Sequence, residues 1–128
     1  MKIAIYTKDF SSGSSAKQLD LCKNYILSRY NDKYIDDIYI YKENFIDDNS
    51  ARPEYEQLIY DAESKHYNLL LCYNLRCIFK NIIDFSTTYK LLKENDIDFI
   101  SISEQFDTTS SSGRLTASIA DAFAELES

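Results

Sequence analysis

The chain has 128 residues, 45 % of them hydrophobic, with only two glycines and one proline. That is enough for one domain with a real core, it argues against disorder, and it leaves little material for long loops. The formal net charge of −7 has the wrong sign for a domain that holds nucleic acid by its overall field, because Lys and Arg contacts to phosphate supply most non-specific affinity.

Taken in chain order, residues 2–6 (KIAIY) form a short apolar run rich in β-formers, read as a first buried strand. A Ser/Gly loop follows, and then Leu19, Cys22, Tyr25, Ile26 and Arg29 keep helical spacing, predicting an amphipathic helix over 15–30. Residues 38–41 (IYIY) read as a second strand. An acidic and polar loop (Asp47, Asp48, Asn49, Ser50) leads to Arg52-Pro53, where proline suits a helix's first turn and Leu58, Ile59 and Ala62 supply an apolar face. Residues 68–72 (NLLLC) are apolar enough to be a strand buried on both faces. A helix over 81–94 and a strand over 98–102 (DFISI) come next, and a last helix starts near Ser112 or Gly113.

Strand and helix alternate throughout, which predicts an open, mainly parallel α/β sheet with helices on both faces and a long C-terminal helix. In such sheets the site lies where loops leave the carboxyl ends of the strands. Those loops are 7–16, 44–52, 73–80 and 103–112. In the final helix Leu115, Ile119, Ala122, Phe123 and Leu126 make an apolar stripe with Ala117, Ala120 and Ala124 between them. Small residues on such a stripe let two helices approach closely, so the helix reads as an oligomer interface. The plainer alternative is a terminal helix docked on the sheet.

No apolar run reaches the length of a membrane span, and MKIAIYTKDF lacks the apolar core of a signal peptide. Cys22, Cys72 and Cys77 are odd in number and fall in segments read as helix or strand. They suit a reduced, cytoplasmic compartment better than a disulfide framework. Cys72, Cys77 and the single His66 make a poor zinc site, which needs a fourth ligand and tighter pairing.

Three chemistries are open to the strand-end loops. A dinucleotide or P-loop site needs a glycine-rich turn after the first strand, and TKDFSSGSS has one glycine and no GK[ST]. A phospho-acceptor site needs acidic residues after the first strand and an aspartate after the third, where this chain has Thr7-Lys8-Asp9 and Tyr73-Asn74. A serine nucleophile among basic residues is the third. Attack on a phosphodiester builds negative charge on phosphorus, so cations should converge from several loops, and Lys8, Arg52, Arg76 and Lys80 stand at these strand ends. The bland readings are a polar turn whose serines, Ser14 or Ser15, cap the next helix, a surface ion pair of Arg52 with Asp47 or Asp48, and a helix-surface charge at Lys80.

Residues 101–128 (SISEQFDTTSSSGRLTASIADAFAELES) resemble the serine site-specific recombinases of the resolvase/invertase family. There a fourth strand runs through E-x-x-D-T-S/T and Gly-Arg-Leu into a long helix ending A-E-L-E. Glu104, Asp107, Thr108, Gly113, Arg114, Leu115, Ala124, Glu125 and Glu127 carry the match. ARPEYEQLIYDA (51–62) is similar to the family's R-P-x-x-x-x-L-L segment and puts an active-site arginine on Arg52; KIAIYTK with Gln18-Leu19 matches the first strand and helix. The likeness covers nearly the whole chain and is greatest to the large, integrase or transposon-type members. It implies a resolvase-like catalytic domain over 1–128, with the DNA-reading part expected beyond Ser128. It also implies a serine that forms a 5′-phosphoserine link to DNA within a dimer or tetramer built through the C-terminal helix, without metal, nucleotide or membrane.

The departures from the family fall at the site. The family's first loop reads Y-x-R-V/L-S; here Lys8 takes the arginine's place and Phe10 the serine's, and Ser11 and Ser12 follow. Where the family writes L-D-R-L-S-R, this chain has Arg76 for the aspartate, Cys77 for the first arginine and Lys80 for the second. Lysine keeps the charge without the bidentate fork that matches phosphate oxygens. Three readings follow. The first is an active recombinase, with Ser11 (alternatively Ser12) attacking and Lys8, Arg52, Arg76 and Lys80 binding phosphate. The second is a recombinase-like domain without cleavage that serves assembly or regulation, and the third an unrelated α/β domain.

Overall fold

The structure is a computed structural model that describes residues 1–10, 13–44 and 51–109. The expected nucleophiles Ser11 and Ser12, the acidic pair Asp47 and Asp48, and the final helix lie outside the described residues. Strands β1 (Lys2–Asp9), β2 (Asp37–Asn44), β3 (Leu69–Cys72), β4 (Asp98–Ser101) and β5 (Phe106–Asp107) form one sheet in the order β2-β1-β3-β4-β5. The first four are parallel and β5 returns antiparallel to β4. The expected mainly parallel sheet is therefore present.

Helix α1 (Ser14–Arg29) packs on one face of the sheet, its Cys22 and Ile26 against Ile3, Ile5, Leu69, Leu71 and Ile100. Helices α2 (Pro53–Glu63) and α3 (Ile82–Glu94) cover the other face, with Leu58, Phe85 and Leu92 against Ala4, Tyr6, Leu70 and Phe99. Alternate residues of β1 thus feed two cores, which is why KIAIY shows no polar alternation. Burial of side chains of this size stabilises by about 1.5–3 kcal/mol each.

Three features differ from the sequence expectations. β1 runs to Asp9 and β2 to Asn44, in register from Lys2 opposite Asp37 to Asp9 opposite Asn44. Thr7 and Lys8 are therefore buried strand residues and do not belong to a loop. β5 was not expected, because two residues make no periodic signal. Phe106 explains it: the ring lies 5.8 Å from Phe85 and 5.6 Å from Phe99, in an aromatic cluster that also holds Phe79, drawing the chain back along β4. Finally, residues Leu75–Cys77 form a 3-10 turn capped by Asn74, whose Oδ1 accepts from the Cys77 N–H at 2.9 Å.

The polar residues of SEQFDTT fasten this return. Glu104 accepts from the Leu75 N–H at 3.1 Å and from the Ser101 hydroxyl at 2.5 Å, tying the turn after β4 to the turn after β3. Asp107 pairs with Arg29 at the end of α1 at 2.6 Å. Thr108 accepts from the Phe99 N–H at 2.8 Å and donates to Asp98 at 2.9 Å. Among the described residues, the E-x-x-D-T motif is a set of anchors for the turn and the return strand after β4.

Candidate active site

The carboxyl ends of β1, β2 and β3 lie side by side, and each brings charged groups. Register places Lys8 opposite Glu43, and in a parallel pair such neighbours project from the same face. Glu43 is buried and accepts on both carboxylate oxygens. It accepts from the Tyr6 hydroxyl at 3.0 Å and from the Glu54 and Tyr55 N–H groups at 3.2 and 3.0 Å. The last two are orphan donors of the first turn of α2, where a carboxylate is also favoured by the helix dipole. Glu43 therefore fixes the start of α2 and with it Arg52, the residue immediately before the helix.

Arg52 donates from Nη1 to the Ile78 carbonyl at 3.0 Å and in a two-pronged pair to Asp84 at 3.2 Å on both oxygens. Its guanidinium also lies 3.9 Å from the centre of the Tyr55 ring. Among the described residues, the acid that pairs with Arg52 is Asp84. Asp84 in turn accepts from the Lys80 N–H at 3.0 Å, while its own N–H is capped by Asn81 at 2.9 Å. The result is a rigid frame around one arginine, with three of its five N–H donors committed.

Lys8 is 6 % exposed, and its ammonium lies 5.8 Å from the centre of the Phe10 ring. Burial, then the charge of Arg52, pushes its pKa below the usual lysine value; Cys77 and Glu43 oppose this and Lys80 adds to it. Arg76 approaches the same Phe10 ring at 5.9 Å. The four expected basic residues fall into two pairs: Lys8 and Arg76 share Phe10, while Arg52 and the Lys80 N–H meet on Asp84. Lys80 is exposed and precedes α3, so it is a loop charge and not a helix-surface one. Cys77, standing where the family has an arginine, is buried, and desolvation pushes its thiol up to about 11. It brings no positive charge.

The serine loop differs from the capping expectation. Helix α1 is preceded by Gly13 at φ 85°, with no side-chain cap there. Asp9 fills that role, accepting from the Ser15 N–H at 3.3 Å and from the Ser14 hydroxyl at 2.9 Å, and Ser14 Oγ accepts from the Phe10 N–H at 2.9 Å. Asp9 is held below the usual carboxylate range chiefly by the Ser14 hydrogen bond. Gln18 locks the strand beneath, accepting from the Lys8 N–H at 2.9 Å and donating to the Lys8 carbonyl at 2.7 Å. Among the described residues no three His, Cys, Asp or Glu side chains gather as a metal site, and His66 stacks on Tyr39 at 4.3 Å.

Sequence reasoning missed Glu43 and Asp84. Asp84 had a signal, the Asn81-x-x-Asp spacing of a helix N-terminus. Glu43 had none beyond being a charge inside a strand, since its partners are 37, 11 and 12 residues away.

An open, mainly parallel sheet with helices on both faces and basic residues at its carboxyl edge defines an α/β domain. The chain belongs to the family of the resolvase N-terminal domain, whose model matches residues 7–128. It is similar to the N-terminal catalytic domain of TP901-1 integrase, with 29 % identity, a TM-score of 0.75, and coverage of 99 % of this chain and 96 % of that one. A resolvase family site-specific recombinase from Streptococcus pneumoniae shares the fold at 16 % identity and a TM-score of 0.74, over 99 % and 89 % of the two chains. The C-terminal catalytic domain of ISC1926 TnpA, an IS607-like serine recombinase, does so at 15 % and 0.66, over 80 % and 70 %. No curated protein matches the chain. Among the described residues no helix is long and apolar enough to cross a membrane.

Proposed function

We propose that this domain recombines DNA by strand cleavage and rejoining through a phosphoserine. The observation that carries the reading is the grouping of basic residues at the strand ends: Lys8 and Arg76 share Phe10, which Ser11 follows in the chain, and Arg52 and Lys80 are joined through Asp84. The Ser11 hydroxyl (alternatively Ser12) attacks the phosphorus of a backbone phosphodiester and gives up its proton. The bond to the 3′ oxygen breaks, that oxygen takes a proton, and the 5′ phosphate stays on serine. Reversal by a 3′ hydroxyl rejoins the strands. The cations offset charge that grows on the phosphoryl oxygens, and none of these steps calls for metal or nucleotide. A DNA-reading part beyond Ser128, assembly of dimers or tetramers through the final helix, and a cytoplasmic location complete the proposal.

The test is a covalent protein–DNA band on a denaturing gel after incubation with target DNA. The band should vanish in Ser11→Ala. If it persists there and vanishes in Ser12→Ala, the alternative nucleophile is the right one. A second reading, a recombinase-like domain that assembles without cutting, is favoured by Phe10 and Cys77 standing at the family's serine and arginine positions. No band from native protein, with oligomerisation intact, would establish it.

A further inference from the structure

The two edges of the sheet are unlike. β5 closes one edge with two residues, and so short a strand leaves little for another chain to pair with. β2 forms the other edge with eight residues, and among the described residues its one neighbour in the sheet is β1. Register puts Ile38 beside Ile3 and Ile40 beside Ile5, so these side chains share the face on which α1 packs. Ile3 and Ile5 are fully buried there with Cys22 and Ile26 of α1 and with Leu69, Leu71 and Ile100 of β3 and β4. Ile38 and Ile40 remain 38 % and 47 % exposed. Helix α1 thus covers this face over β1, β3 and β4 and leaves β2 bare. On the opposite face Tyr41 and Glu43 are buried and bonded to α2. A long apolar edge strand, open on one face, is a template for a further strand.

The sequence of β2 selects that strand. In antiparallel pairing about a two-fold axis, opposed residues lie on the same face, so the axis passes through a residue position. An axis at Tyr39 sets Ile38 against Ile40 of the second copy, twice over, and Asp36 against Lys42. Lys42 is exposed, and Asp36 keeps 66 % of its side chain exposed although it also binds the N-terminal amine. An axis at Ile40 opposes Asp37 to Glu43, two like charges, and Ile38 to Lys42. An axis at Ile38 opposes Ile40 to Asp36. Of these three registers, the one at Tyr39 matches apolar with apolar and acid with base. Lys42, a charge of the kind that guards an edge against unrelated strands, finds its acid only there.

We propose that β2 pairs antiparallel with β2 of a second copy of this chain, about a two-fold axis at Tyr39, so that two sheets become one. This interface lies across the sheet from β5, after which the final helix follows in the chain. It is therefore additional to assembly through that helix, and it stands whether or not the domain cuts DNA.

Sedimentation of the full chain over a range of concentrations, joined to disulfide trapping, tests the pairing. Ile40→Lys should weaken association on the order of tenfold or more, because the axis places the lysine in the interface twice, while leaving the circular dichroism spectrum unchanged. Ile119→Lys, in the stripe of the final helix, should leave the edge contact in place. Under mild oxidation Tyr39→Cys should cross-link to itself, and Ile38→Cys should cross-link to Ile40→Cys in a mixture of the two. The native cysteines are buried and should not compete. A monomer at all concentrations would overturn the proposal, as would association that Ile119→Lys abolishes and Ile40→Lys leaves intact. Self-cross-linking of Ile40→Cys in place of Tyr39→Cys would refute the register.

Discussion

Arg52 and Asp84 offer the most direct test of the frame around the site. Asp84→Ala removes two hydrogen bonds from the guanidinium and one from the Lys80 N–H. The side chains are 15 % and 19 % exposed, so the pair lies between the buried and the surface cases. Charge-assisted bonds contribute about 1.5–3 kcal/mol each before desolvation is counted, and exposed pairs only about 0–1. A loss of about 2–4 kcal/mol is therefore expected, several degrees in Tm for a chain of this size. Part of it belongs to the Lys80 bond and to the helix end, so the pair itself is read from a double-mutant cycle with Arg52→Met. Urea unfolding followed by circular dichroism should give a coupling of about 1–2 kcal/mol. A coupling below about 0.5 kcal/mol, the level of an exposed ion pair, would refute the claim that Asp84 holds Arg52 in place.

Three further outcomes follow from the same contacts. Lys8 has a folded pKa below its ordinary value, so the folded state binds fewer protons than the unfolded chain between the two values. Its contribution to stability is unfavourable at neutral pH and improves as pH rises toward about 10.5. Lys8→Met should therefore stabilise near pH 7, and its advantage over the native chain should shrink on the alkaline side; an advantage that does not change with pH would count against the burial of a charged amine. Gly13 has φ 85°, and a Cβ added there would meet nothing within 4 Å, so Gly13→Ala should cost only backbone strain, about 1 kcal/mol, and Gly13→Asn less. A much larger loss in thermal melts would mean that side-chain space is the constraint. Glu43→Leu leaves the Tyr6 hydroxyl and two helix N–H groups without their acceptor, and should cost about 3 kcal/mol or more by denaturant titration, with Glu43→Gln recovering part of it.

Most of the fold was legible because its signals are local. KIAIY, IYIY, NLLLC and DFISI are β-rich apolar runs, and all four appear as strands of one sheet. Pro53 and Asn81 mark the starts of α2 and α3 to within a residue. β5 escaped because Phe106 joins the sheet through rings contributed from residues 85, 89 and 99. Gly13 and Asp9 supplanted the serines as the start of α1 for a related reason: the capping carboxylate comes from the strand before the loop.

The basic residues of the candidate site could be named from the chain because each stands near the carboxyl end of a strand that the sequence marks. What holds them could not. Glu43 meets Lys8 only through parallel register, and Asp84 meets Arg52 only because α2 and α3 lie on the same face of the sheet. By itself the sequence determined the alternation of elements, the loops that carry charge and the family. The tertiary structure decided that Asp84 restrains Arg52 and that Glu43 fixes the start of α2. These depend on contacts between residues far apart in the chain, where periodicity carries no information.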